Sequence, residues 1–295
     1  MRLDEFDPNA IDVEDQRGSG GGGFPMPMGG GGRRLGCGTL LVIIIAALVF
    51  KVDVSQFVGG MGGVEAGAPG QPQVQGGTNA AESCKVNAES LESCNALSSL
   101  NKTWGPLFQQ ANIAFKRPTL HFYSQAGQSG CGAAQSAMGP FYCPTDNGIY
   151  LDTDFFQQMS RELGADGQFA RDYVIAHEYG HHIQNVLGTS SEVRQAQERN
   201  PSAANRLSVR LELQADCYAG VWAARNKDRL EPGDMESGLN AAHQIGDDTL
   251  MKNAGRRPAE DAFTHGSSAQ RMEWLRKGLE TGNEDACDTF ADLRK

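Results

Sequence analysis

Nineteen of the 37 glycines fall within the first 80 residues of this 295-residue chain. A segment so rich in a residue without a side chain has little to bury and much backbone entropy to lose. The front of the chain is therefore not expected to pack like the rest, and one globular domain is expected over residues 81–295. The formal net charge is −10. That balance argues against a nucleic-acid partner, whose phosphates require clustered cations.

Residues 1–34 combine an acidic start (Asp4, Glu5, Asp7, Asp12, Glu14, Asp15) with a Gly/Pro/Met stretch that ends in Arg33-Arg34, and read as a disordered tail. Leu35–Phe50 reads LGCGTLLVIIIAALVF, sixteen residues without a charge between Arg34 and Lys51. A membrane span needs roughly 17–25 residues, so the run is short but close. A buried core helix there would have Gly-rich segments on both sides and no core to join. A cleaved signal peptide would begin nearer the terminus. The reading is a single N-terminal transmembrane helix over 35–54, followed by a flexible Gly/Pro/Gln-rich linker over 55–80. Arg33 and Arg34 would hold residues 1–34 in the cytoplasm and place the domain outside, a single-pass protein of the cytoplasmic (inner) membrane.

Within 81–295, Leu91–Leu100 looks helical, and Thr119–Ser124 and Gly148–Leu151 look like short strands. A helix follows from Thr153 and stops at Gly164, and the pattern after it is almost wholly helical. Six cysteines lie on the presumed outer side, an even count that suggests three disulfides. Short loops favour Cys84–Cys94 and Cys131–Cys143, which leaves Cys217–Cys287.

The segment with the most chemistry is DYVIAHEYGHHIQNVLG, residues 172–188. Val174, Ile175, Ile183, Val186 and Leu187 recur at helical spacing, and Gly188 suits the helix end. His177 and His181 are four residues apart, on one helix face, where two imidazoles can share a Zn²⁺. Glu178 is turned about 100° from them by the helical period, beside the metal rather than at it, as suits a general base. His182 falls off that face and reads as a surface or supporting residue. A second helix, from Arg206 to Gly220, carries Glu212 and Asp216 one turn apart. Glu212 would complete the metal's protein ligands, and Asp216 could accept the free N–H of a bound histidine. Small Ala215 and Ala219 would permit close packing of the two helices.

HEYGH followed by ELQAD resembles the gluzincin metalloproteases, including those of the HtpX type. The fuller order runs SGCGAAQSAMGPFYCPTDNGIYLDTDFF, VIAHEYGHHIQNVLG, RLELQADCYAGVWA, QIGDD, FTHGSSAQRMEWLRKG. It is similar to the YpfJ-type neutral zinc metallopeptidase family of bacteria over nearly all of 81–295. The resemblance implies zinc on His177, His181 and Glu212 with Glu178 as base. It also implies an edge strand in the Phe141–Leu151 region that binds the peptide by strand addition. Thr264-His265-Gly266 resembles the THP segment of the HtpX type, with Gly266 in place of proline. His265 or Arg271 could donate to an oxyanion, and His243 is a weaker candidate. Asp247-Asp248 read as helix caps or part of a cation site.

The expected fold is α+β, mainly helical, a zincin-like domain with a small sheet on a transmembrane tether. The expected function is a membrane-anchored zinc endopeptidase, with a peptide or protein as substrate and the membrane as partner. Alternatives are a non-catalytic zinc-binding scaffold, or a zinc amidase acting on cell-wall peptides. Intact Glu178 favours an enzyme, because a structural site needs no base.

Overall fold

Thr119–Tyr123 and Gly148–Asp152 lie side by side as parallel strands in the computed structural model, which describes residues 1–18 and 79–294. These are β2 and β6. Both are almost wholly buried, as parallel strands covered on both faces should be. β1 (Asp12–Asp15) pairs parallel with β2, and β5 (Phe141–Cys143) pairs antiparallel with β6. The sheet order is β1-β2-β6-β5, so β5 is an edge. A separate hairpin joins β3 (Ala126–Ser129) to β4 (Gly132–Gln135).

The helices are α1 (Ala80–Ser83), α2 (Ala88–Gln110), α3 (Asp154–Leu163), α4 (Gln168–Val186), α5 (Thr189–Arg199), α6 (Ala204–Arg225), α7 (Asp234–Gln244), α8 (Asp247–Asn253) and α9 (Ser268–Thr281). Local chemistry explains several ends. The Asn87 side chain caps α2, Gly164 takes the left-handed conformation after α3, and Ser267 with Gln270 forms a capping box on α9. The expected α2 stopped at Leu100, whereas the helix continues through Pro106. Buried Trp104 and Phe108 supply the packing that outweighs the lost hydrogen bond.

Helix α6 lies at the centre. It runs antiparallel to α4, since Gln184 meets Leu211 and Tyr173 meets Asp216. A Cβ on Gly180 would stand 2.8 Å from Ala215 Cα, so these two helices approach almost to backbone contact. α6 meets α9 more closely still: a Cβ on Gly220 would stand 2.2 Å from the Leu275 carbonyl oxygen. Cys84–Cys94, Cys131–Cys143 and Cys217–Cys287 are disulfides, and the last holds the chain after α9 against α6.

The front of the chain departs from expectation. Residues 1–18 belong to the domain. Met1, Phe6 and Ile11 are buried, Phe6 N–H donates to Asn95 Oδ1 (3.0 Å), and Asn101 Nδ2 donates to the Ala10 carbonyl (3.0 Å). Three apolar anchors five residues apart have no helical or strand period, and the acidic residues between them hide the pattern. The open edge of β2 adds the hydrogen bonds that composition cannot reveal.

This docking overturns the membrane topology. A cytoplasmic tail of residues 1–34 and an outer domain cannot be hydrogen-bonded to each other, yet β1 pairs with β2 along its length. No helix among the described residues is long and apolar enough to cross a membrane. The 35–54 run and the 55–80 linker lie outside the described residues, apart from its last two positions. The fold is mainly helical with a small sheet, as expected, but the transmembrane tether and the single-pass inner-membrane localisation are withdrawn.

Candidate metal centre

His177 and His181 project from the middle of α4 toward Glu212 on α6. One ligand atom from each lies within 4.8 Å of the others. His177 Nε2 is 3.1 Å from Glu212 Oε2, and His181 Nε2 is 3.5 Å from Glu212 Oε1. The helix crossing at Gly180 and Ala215 sets this spacing.

The other nitrogen of each histidine is committed. His177 Nδ1 is 2.8 Å from Asp216 Oδ1, a fully buried carboxylate that can only accept. Tyr173 Oη donates to the same oxygen (2.6 Å), and Arg271 Nε donates to Oδ2 (2.8 Å). His181 Nδ1 is 2.9 Å from Gln184 Oε1. The Gln184 amide has one orientation, because its Nε2 donates to the Leu211 carbonyl (2.7 Å) and to Gln214 Oε1 (3.1 Å). Both Nδ1 atoms therefore carry protons, and both Nε2 atoms face Glu212, where they donate to it until a metal displaces their protons. Two imidazole nitrogens and a carboxylate form a donor set suited to zinc, held by partners of the kind that fix a ligand's tautomer.

Electrostatics follow from burial and these pairs. Burial alone would raise the Asp216 carboxyl, but Arg271 and His177 outweigh it and bring it to about 2. Burial opposes a proton on His177, yet Asp216 and Glu212 prevail and raise it to about 9. Burial also disfavours the charged form of Glu212, but the two histidines hold its carboxyl well below the usual range. Burial pushes the Glu178 carboxyl up, although both histidines pull it back. A raised pKa makes Glu178 a stronger base than a surface carboxylate.

His177, Glu178, His181, Glu212, His265 and Arg271 all line one cavity of about 470 Å³. His265 enters it from the loop before α9. Asp247, fully buried at the start of α8, anchors that loop: Oδ2 accepts the N–H groups of Thr264 (2.7 Å), His265 (2.7 Å) and Gly266 (3.1 Å). Its Oδ1 is 3.1 Å from His265 Nδ1. Burial lowers the His265 pKa, but Asp247 and Glu212 raise it overall. Asp248 accepts from Ser268 N–H (2.7 Å), which makes it a cap of α9.

Three expectations need revision. Arg271 lines the cavity but is buried, and both Nε and Nη2 donate to Asp216, a role in orienting the His177 partner that the sequence did not show. His243 does not line the cavity; its carbonyl accepts from Ser268 Oγ (2.7 Å). His182 is not a surface residue but wholly buried. Its Nε2 donates to the Lys116 carbonyl (2.8 Å), which leaves Nδ1 to accept from Tyr142 Oη (3.1 Å). Burial lowers its pKa to about 4, so it stays neutral. Asn185 Nδ2 also donates to Tyr142 Oη (3.0 Å), and the pair ties edge strand β5 to α4.

Sequence reasoning did not single out Tyr173, Gln184 or the anchoring role of Asp247. Helical spacing could have found two of them: Tyr173 lies four residues before His177, and Gln184 three after His181. Asp247 meets His265 only through the tertiary fold.

A family model described as "Putative neutral zinc metallopeptidase" matches residues 5–290. The chain is 41% identical over 287 residues to "Uncharacterized protein YpfJ" of Escherichia coli (strain K12), covering 94% of this chain and 95% of that protein. It is 42% identical over 210 residues to "Uncharacterized protein Rv2575" of Mycobacterium tuberculosis (strain H37Rv), covering 66% of this chain and 69% of that protein. No solved structure matches the chain.

Proposed function

This chain belongs to the neutral zinc metallopeptidase family, and from that premise we propose that it is a zinc-dependent endopeptidase whose metal ligands are His177, His181 and Glu212. The observation that carries the reading is the pair of committed Nδ1 atoms, which leaves both Nε2 atoms facing one carboxylate, free to bind a metal once deprotonated. Zinc held there would supply Lewis acidity, polarising a carbonyl and acidifying a water.

The rest is the work of the chain. Glu178 lines the same cavity, and its raised pKa suits it to take a proton from the attacking water. It then delivers that proton to the leaving nitrogen as the C–N bond breaks, while the hydroxyl stays on the acyl carbon. The products are a carboxylic acid and an amine. His265, protonated and turned by Asp247, would donate from Nε2 to the oxyanion that develops on the former carbonyl oxygen. Phe141 and Tyr142 of β5 line the cavity, so an extended peptide can add to this edge strand.

The test is chelation and reconstitution of the full chain with a blocked peptide library. Restoration of cleavage by zinc supports the reading. A protein that holds one zinc at these residues and cleaves nothing favours a binding role instead.

A further inference from the structure

Beyond His181, helix α4 turns from the metal to the sheet. His182 and Asn185, the next residue and the one a turn further on, both reach Tyr142 of edge strand β5. That strand is three residues long and pairs with β6 on one side; its other edge meets no strand among the described residues. Successive side chains of a strand point to opposite faces. Phe141 and Cys143 pack with Tyr150, the Phe141 and Tyr150 rings stacking at 5.0 Å. Tyr142 turns the other way and meets His182 edge-on, with ring centroids 5.5 Å apart.

The protons of this contact can be assigned. His182 Nε2 donates to the Lys116 carbonyl (2.8 Å), so its Nδ1 accepts the single Tyr142 hydroxyl proton (3.1 Å). The Asn185 amide nitrogen carries two protons. One goes to Tyr142 Oη (3.0 Å) and the other to Asn147 Oδ1 (3.1 Å), in the turn between β5 and β6. His182 is wholly buried, and a buried network with its partners in place specifies one arrangement where an apolar contact would let the strand slide. A three-residue edge strand has few ladder bonds of its own, so without this tie it opens readily. Neither His182 nor Asn185 lines the cavity, whereas Tyr142 does.

We propose that His182 and Asn185 are positioning residues for the substrate: through Tyr142 and Asn147 they hold β5 in place, ready to pair with an extended peptide. The proposal rests on the peptidase reading, in which β5 receives the substrate. A peptide that adds to a strand already in place does not bear the cost of ordering it. That advantage is equal in the ground state and the transition state, so it appears in KM and not in kcat.

The experiment is steady-state kinetics on the zinc-loaded full chain with blocked hexapeptides that wild type cleaves, rates being counted per bound zinc. Asn185→Leu keeps the side-chain size and removes both N–H donors. KM should rise about tenfold, the effect of losing two hydrogen bonds, while kcat stays within about twofold. Tyr142→Phe removes only the hydroxyl and should also raise KM, so a poorly folded Asn185→Leu does not leave the question open. A purely structural loss would lower zinc content and kcat and leave KM alone. An unchanged KM, or a fall in kcat as large as the rise in KM, overturns the proposal. A second arm needs no turnover: fluorescence anisotropy measures binding of a labelled hexapeptide pool to zinc-loaded Glu178→Gln with and without Asn185→Leu. If wild type cleaves nothing but the pool binds about tenfold more weakly once Asn185 is replaced, the peptidase reading fails and the positioning role stands. Equal binding by the two, or binding by neither, overturns it.

Discussion

Gln184 fixes the tautomer of His181: its Oε1 stands 2.9 Å from Nδ1 and can only accept there, because its Nε2 is occupied by the Leu211 carbonyl. Gln184→Leu removes that acceptor and leaves the ring free to turn. Zinc affinity should fall by roughly 10–100-fold, the usual effect of losing such a partner. Competition with a chromophoric chelator measures this. An unchanged affinity would show that the glutamine does not orient the ligand.

Protonation of His177 competes with metal. With zinc stripped, His177 titrates at about 9, against 6.5 for a free imidazole. Its folded-state pKa is raised, so its contribution to stability is full below the unfolded value and is lost as pH rises through about 9. Zinc needs the deprotonated ring, so its binding strengthens over the same interval. The stabilisation gained on adding zinc should therefore grow between these two pH values. Thermal midpoints with and without zinc test it, and a shift that is constant or shrinks with pH would contradict it.

Gly220 lets α6 and α9 touch. Gly220→Ala places a Cβ where the Leu275 carbonyl oxygen stands, a backbone atom that cannot turn aside. The cost should be at least about 1–3 kcal/mol, the range for overpacking. Arg271 rides on α9, so zinc affinity should drop as well. Urea midpoints and metal titration measure both, and wild-type values for the two would refute the crossing.

The docked front of the chain makes a separate prediction. Phe6 is buried, so Phe6→Ala should destabilise the domain by about 3–5 kcal/mol. A tail separate from the domain would tolerate it without effect. Urea unfolding of the full chain distinguishes the two outcomes.

The cluster of His177, His181 and Glu212 was legible because a helix repeats every 3.6 residues: His177 with His181, and Glu212 with Asp216, show their shared faces in spacing alone. The end of α3 was legible for an equally local reason, the glycine at 164 that takes the left-handed conformation. Contacts made through the tertiary fold were not. Asp247 looks like a helix cap until the loop carrying His265 folds over it. His182 looks exposed until the Lys116 carbonyl and Tyr142 close over it. Strand β1 carries four polar or half-buried positions whose pairing depends on the edge of β2, more than a hundred residues away.

The most direct test is the hydrolysis rate of Glu178→Gln per bound zinc, relative to wild type. The substitution keeps size and hydrogen bonding but removes the proton acceptor, and Glu178 is not among the three clustered residues His177, His181 and Glu212. Zinc content should stay at wild-type level while the rate falls by at least about 10²-fold, the lower range for a lost general base. Cleavage at the wild-type rate, or loss of zinc along with activity, would contradict the roles assigned to these residues.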